Sequence, residues 1–190
     1  GKKINYTIQG EGEPLCLVHG YLESLKIWDD FAQSLADDYM VIRLDLPGHG
    51  ESEVVQETHE MELLAEALKA VLDENQISSC TIIGHSMGGY VTLAFADQYP
   101  EMVDRFSLFH SHPFPDSDQV RQNRKNAIGD IKNGKKNEIC HSHVPKTFAD
   151  DNLQAFSVQV EKAKNVALQS PDEGIIANLK GMMKRPDRSL

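Results

Sequence analysis

Short apolar runs alternate with amphipathic stretches through the first 110 residues. "PLCLV", "MVIRLDL", "CTIIG" and "RFSLF" are each bounded by turn or polar residues, and their length and β-branched content predict buried strands. Between them, 24–36 places Ile27, Trp28, Phe31 and Leu35 on one helical face. In 58–74, Met61, Leu64, Ala65, Leu68, Val71 and Leu72 recur at i, i+3, i+4, i+7. A third helix of small and apolar residues over 87–98 is stopped by Pro100. Strands that alternate with helices predict an α/β fold with a mostly parallel sheet covered on both faces.

After Phe109 the pattern changes. "HSHPFPDSD" reads as a Pro-broken loop, and the sequence beyond it is polar and helical, with no strand after residue 111. The last helix is expected to start with Ser170 as N-cap, Pro171 at its first position and Glu173 closing a capping box. Its buried face would be Ile175, Ile176, Leu179, Met182 and Met183.

Composition adds exclusions. At 190 residues the chain fits one domain with a sizeable core. A net charge of −10 argues against a nucleic-acid partner, and "RQNRK" and "KNGKK" read as solvated helix faces. No apolar run approaches the roughly 18 residues of a membrane span. No signal peptide is visible, although the chain opens on Gly1, which leaves its native start open. Cys16, Cys80 and Cys140 are widely spaced and odd in number, which points to a reducing, cytoplasmic setting without a disulfide framework.

The chemistry centres on "CTIIGHSMGGY", residues 80–90. Gly84-His85-Ser86-Met87-Gly88 fits the G-x-S-x-G nucleophile elbow, and its setting between an apolar strand and a helix is the one that motif needs. A tight turn there strains the serine backbone and lifts its hydroxyl out of the sheet, while the following helix N-terminus aims free N–H groups at a developing oxyanion.

With "HGYLES" (19–24), "DLPGHGES" (45–52) and "GHSMGG" (84–89) in this order, the chain resembles the α/β-hydrolase family over about residues 4–111. The resemblance implies a serine hydrolase that cleaves a small ester or related acyl compound through an acyl-enzyme on Ser86, carbon–carbon bond hydrolysis being a variant. It implies an oxyanion hole from the backbone N–H groups of Tyr21 and Met87, and no cofactor. Residues 1–111 would be the hydrolase core, 112–185 a helical cap, and 186–190 the start of a return to the core. Phe114, Phe148 and Phe156, with His110 and His112, are candidates to line the substrate pocket. A serine at position 86 argues against the family's dehalogenases and epoxide hydrolases, which use an aspartate there.

The family's chain order is serine, acid, histidine. By resemblance, two more strands and about 60–80 further residues would follow Leu190, carrying the acid and the histidine. Among the eight histidines present, His19 and His49 read as hydrogen-bonded packing residues and His59 as heading for the surface. His85 adjoins Ser86, and neighbouring side chains at a sharp turn point apart. His110 and His112 would face one side by strand alternation, with Asp116 or Asp118 as an acid, an alternative in-chain base. The pairs His110/His112 and His141/His143 lack supporting ligands for a metal, so none is expected. A non-catalytic ligand-binding module and an inactive fragment are the competing readings, and the oligomeric state is open.

Overall fold

A computed structural model describes residues 1–189. Five strands form one sheet in the order β1-β3-β2-β4-β5. They are β1 (Tyr6–Gln9), β2 (Glu13–Val18), β3 (Tyr39–Leu44), β4 (Cys80–His85) and β5 (Val103–Phe109). β2, β3, β4 and β5 run parallel, and β1 pairs antiparallel with β3. Four of these strands coincide with the predicted apolar runs, but β5, predicted to be buried, is mostly exposed, Phe106 and Phe109 included, because it lies at the edge of the sheet. β1 was not predicted, because "YTIQ" is only half-buried along its whole length and carries no apolar run.

The helices of this first part are α1 (Asp29–Leu35), α2 (Met61–Glu74) and α3 (Met87–Gln98). α2 and α3 cover one face, where Leu64, Leu68, Leu72, Val91 and Phe95 pack on Cys16, Ile42 and Ile82. On the other face Trp28 and Ala32 close over Leu15, Leu17 and Val41. The predicted helix over 24–36 is a 3-10 turn, Leu25–Trp28, followed by α1, and Phe31 stays exposed.

Four helices follow: α4 (Asp118–Lys132), α5 (Lys136–His143), α6 (Ser157–Gln169) and α7 (Asp172–Lys184). Among the described residues no helix is long and apolar enough to cross a membrane. α7 starts one residue later than expected. Pro171 is extended (ψ 147°) and occupies the cap position, Ser170 makes no capping bond, and its buried hydroxyl has no partner. The capping box therefore does not form.

α7 docks on the core loops backbone to backbone. A Cβ on Gly174 would strike the Gly48 carbonyl, and one on Gly181 would strike that of His59. Beside these contacts Asn178 Nδ2 donates to the Gly174 and Pro47 carbonyls, at 2.8 and 3.0 Å, while His59 N–H donates to Ala177 O at 3.0 Å. His59 is thus fully buried rather than turned to the surface: its Nε2 accepts from Val55 and Gln56 N–H groups, and α7 closes over its other edge.

Three imidazoles are sealed in this region: His19, His49 and His59. Burial pushes each below the ordinary value of 6.5, and His49 falls furthest, with His19 beside it adding to the effect. The unfolded chain therefore takes up protons that the folded chain refuses, and stability held above pH about 6.5 is lost as pH falls through the lowered folded values. Urea-unfolding midpoints should drop between pH 7 and 5, and an unchanged midpoint would contradict a neutral buried cluster. Gly181→Ala should cost about 1–3 kcal/mol or more by the same assay, because the opposing atom is backbone and has little room to retreat.

Candidate active site

Ser86 joins the end of β4 to the start of α3 with φ 50° and ψ −114°, a conformation in which L side chains are strained. Such backbone costs about 1–3 kcal/mol and persists only where its surroundings over-determine it. Here they do. Ser86 N–H donates to Phe109 O at 3.0 Å, and its carbonyl accepts from Gly89 N–H at 3.0 Å and Ser111 Oγ at 2.7 Å. A Cβ on Gly84 would strike Gly88 O, and one on Gly88 would strike Val18 O, so β4, α3 and β2 approach more closely than any other residue would permit. The Ser86 hydroxyl makes no hydrogen bond among the described residues.

The loop after β2 lies against this turn. A Cβ on Gly20 would stand 3.1 Å from Ser86 Cβ and 2.9 Å from Glu23 Oε2. His19 orients the next peptide. Its Nε2 accepts Leu46 N–H (2.9 Å), which places the ring proton on Nδ1, and Nδ1–H donates to Gly20 O (2.8 Å). In a trans peptide the N–H points opposite to the C=O, so Tyr21 N–H is directed away from His19. Tyr21 N–H and Met87 N–H, the latter at the head of α3, have no partner among the described residues. Two unengaged N–H groups on the two loops that meet at Ser86 are what an oxyanion would use.

A cavity of about 180 Å³ opens beside Tyr21, lined by Leu22, Glu23, Ile27, His143, Phe148 and Val166 among others. Its lining comes from the loop after β2, the end of α5 and the face of α6. The Tyr21 hydroxyl is buried without a partner, and burial raises its pKa. Of the expected lining residues, Phe148 reaches this cavity. Phe114 and Phe156 do not: both are about half exposed.

His110 and His112 also differ from expectation. β5 ends at Phe109, and His110 turns into a positive φ of 48°, so strand alternation no longer governs the pair. His110 lies against Phe109, with ring centroids 4.6 Å apart, whereas His112 sits 3.4 Å from the Tyr90 hydroxyl and stacks on Phe114. Neither bonds Ser86. Asp116 is occupied elsewhere, since Arg124 Nε (2.7 Å) and Arg185 Nη1 (2.5 Å) bind its buried carboxylate. Burial alone would raise its pKa, but the two guanidiniums outweigh burial and hold it below the carboxylate range. Asp118 opens α4. His141 Nδ1 donates to Asn137 O at 2.7 Å within α5, and no group of three or more potential metal ligands comes together among the described residues.

Two neighbours of the site, Glu23 and His143, were not assigned to it from the sequence, where His143 was weighed only as half of a metal-ligand pair. Glu23 Oε2 accepts from Gly20 N–H at 2.5 Å and from His85 Nδ1 at 2.9 Å. His143 closes the cavity edge-on to Tyr21, with centroids 5.7 Å apart. The position of Glu23, three residues past Gly20, was a usable signal; that of His143 depends on how α5 folds back.

Residues 13–134 match the profile of the alpha/beta hydrolase fold. The chain belongs to this family. A thermophilic esterase from Thermogutta terrifontis superposes with a TM-score of 0.94 at 29% identity, covering 98% of this chain and 69% of that one. The enol-lactonase from Burkholderia xenovorans LB400 superposes at 0.91 with 21% identity, covering 98% and 72%, a likeness of fold. In sequence, mouse epoxide hydrolase 4 is 35% identical over 118 residues, 60% of this α/β-hydrolase and 33% of that protein. An acetyltransferase component of the Pseudomonas putida acetoin cleaving system is 41% identical over 107 residues, 56% and 29%. The chain thus matches about a third of the length of these curated relatives.

The Asp116 pair ties the loop before α4 to the chain after α7, and Arg185 also lies over the Tyr90 ring at 3.9 Å. Arg185→Met leaves the buried carboxylate with one partner and should destabilise the fold by about 3 kcal/mol, read by chemical denaturation. A loss under about 1 kcal/mol would show that Arg124 alone satisfies Asp116.

Proposed function

We propose that the chain carries the nucleophile and oxyanion hole of a serine hydrolase acting on small esters or related acyl compounds. The observation that supports this most is the Ser86 turn, strained yet held from both sides of its own peptide, with the N–H groups of Tyr21 and Met87 unengaged beside it. Ser86 Oγ attacks the acyl carbon, the two N–H groups receive the oxyanion, and collapse expels the alcohol and leaves an ester on Ser86 that water cleaves. Each donor is typically worth about 3 kcal/mol in the transition state.

A serine also favours acyl over epoxide chemistry, despite the likeness to epoxide hydrolase 4. Attack on an epoxide would leave an ether on the enzyme, which water does not readily cleave, whereas an acyl-serine is hydrolysable. The likeness to the Thermogutta esterase points the same way. In this reading 112–185 is the cap over the site, and the cavity beside Tyr21 receives part of the substrate.

The reading assigns the general base to a histidine beyond residue 190, with its acid. It is supported by the family's chain order and by the Ser86 hydroxyl having no histidine partner among the described residues. Without a base, a serine hydroxyl is a poor nucleophile at neutral pH.

The test is intact-mass spectrometry of the protein at its native length after incubation with a fluorophosphonate, beside Ser86→Ala. A single adduct that the variant loses is expected. An adduct on a protein containing residues 1–190 alone would return the base to His110 or His112. The absence of any adduct at native length would overturn the enzyme reading in favour of a ligand-binding module.

A further inference from the structure

We infer that Glu23 is a positioning residue that clamps the two halves of the oxyanion hole together, an inference that rests on the function proposed above. The two N–H donors sit on separate loops: Tyr21 follows β2, and Met87 follows β4. Nothing in the covalent chain holds these loops in register, since 66 positions separate their numbers. Beyond the β2–β4 pairing, which ends at Val18 and Gly84, a single oxygen bridges them. Glu23 Oε2 accepts from Gly20 N–H (2.5 Å), one residue before the first donor, and from His85 Nδ1 (2.9 Å), two residues before the second.

The carboxylate can only accept when ionised, so the His85 proton resides on Nδ1. Both partners are N–H groups aimed at one oxygen, and the charge is met rather than left facing the oxyanion site. The pair is largely sheltered, with side-chain exposures of 20% for His85 and 19% for Glu23. His85 has little freedom to retreat, for its ring lies among Trp28, Phe109 and His110, with centroids 5.8–6.4 Å away.

The remainder of the loop is equally constrained. Leu22 adopts a φ of 60° and buries its side chain in the core, and Leu25 N–H donates to Asp45 Oδ1 at 2.8 Å. Gly20 is therefore held by its carbonyl through His19 and by its N–H through Glu23, so the peptide carrying Tyr21 N–H has one orientation open to it. Glu23 bonds neither the nucleophile nor the oxyanion in this scheme, although it lines the neighbouring cavity. It acts through Gly20 and His85.

Three substitutions separate reach from charge. Glu23→Gln keeps the length and an accepting oxygen, Glu23→Asp keeps the charge but is one methylene short, and Glu23→Ala keeps neither. The readouts are the rate of fluorophosphonate labelling of Ser86, kcat and KM with p-nitrophenyl acetate, and the thermal midpoint, all on the native-length protein. Glu23→Ala and Glu23→Asp should lose about 100-fold in kcat with little change in KM, because the misplaced donor serves the transition state. Glu23→Gln should stay within about fivefold of the parent. His85→Ala should slow the reaction too, and the double variant with Glu23→Ala should be no slower than Glu23→Ala alone, since one clamp is lost once.

Equal rates for Glu23→Ala and the parent would overturn the inference and leave the proposed function standing. So would a rate that tracks the thermal midpoint across the series, the mark of a merely structural bond. A fall with Glu23→Gln as large as with Glu23→Ala would assign the effect to charge and overturn it likewise. If the parent itself fails to label at Ser86, the proposed function fails first and the inference falls with it. Should Glu23→Ala not fold, the comparison of Gln with Asp decides the matter.

Discussion

The site depends on how closely helix α3 is allowed to approach strands β2 and β4. Gly88 rests on the Val18 carbonyl and Gly84 on the Gly88 carbonyl, and a single added carbon at either place would push the helix away. That approach sets the Ser86 turn in its strained conformation and brings Met87 N–H level with the loop that carries Tyr21. The strain is sustained by three hydrogen bonds to the Ser86 peptide groups, one of them from the β5 end and one from Ser111 just beyond it. Packing between small residues is thus converted into the direction of a hydroxyl and two N–H groups, a pre-organisation that costs nothing at the moment of reaction.

Polar groups do a second kind of work in fixing loops that have no regular structure. Asp45 is the clearest case. Its carboxylate accepts from Asn5 Nδ2, Leu25 N–H and Glu51 N–H, so the segment before β1, the loop after β2 and the loop after β3 converge on one side chain. His19 binds Leu46 N–H on one side and Gly20 O on the other, and so carries this constraint to the oxyanion loop. Buried polar groups of this kind are costly unless paired, and the pairing is what selects one loop conformation. The unpaired His49 Nε2 and Asn178 Oδ1 in the same region are the exceptions, and they sit where α7 meets the core.

What was legible in the sequence follows the range of the interactions. β2 and β3 are buried on both faces over their last four residues and β4 is buried on one face and half-buried on the other, so all three write themselves as apolar runs, and α2 shows its buried face at helical spacing. The elbow was legible because its glycines answer local needs. β1 was not, since an edge strand half-exposed along its length carries no such run. His59 was misread for a different reason: the group that buries it is α7, more than a hundred residues later, and nothing near His59 announces that contact. Ser170 was misread because the capping pattern is local, whereas Pro171 keeps an extended ψ and moves the helix start. The His110–His112 alternation failed where a left-handed residue ended the strand.

The same distinction bears on specificity. The residues that surround Ser86 within the sheet and its loops are small, buried or hydrogen-bonded, and they leave little to vary without disturbing the turn itself. The cavity beside Tyr21 is different. Ile27, Val144, Phe148, Ala163 and Val166 make it apolar, and most of these come from segments after residue 143, which contribute no strand to the sheet. An apolar pocket distinguishes substrates weakly, at about 1–3 kcal/mol per methylene, but it can be reshaped without strain on the elbow. Glu23 stands at the boundary between the two regions. It lines the cavity and also bonds Gly20 N–H and His85, so a group that displaced it from the cavity would loosen the loop that carries Tyr21. On the function proposed above, a carboxylate so engaged would repel an anionic acyl group and favour neutral acyl chains that lie beside Tyr21 short of Glu23.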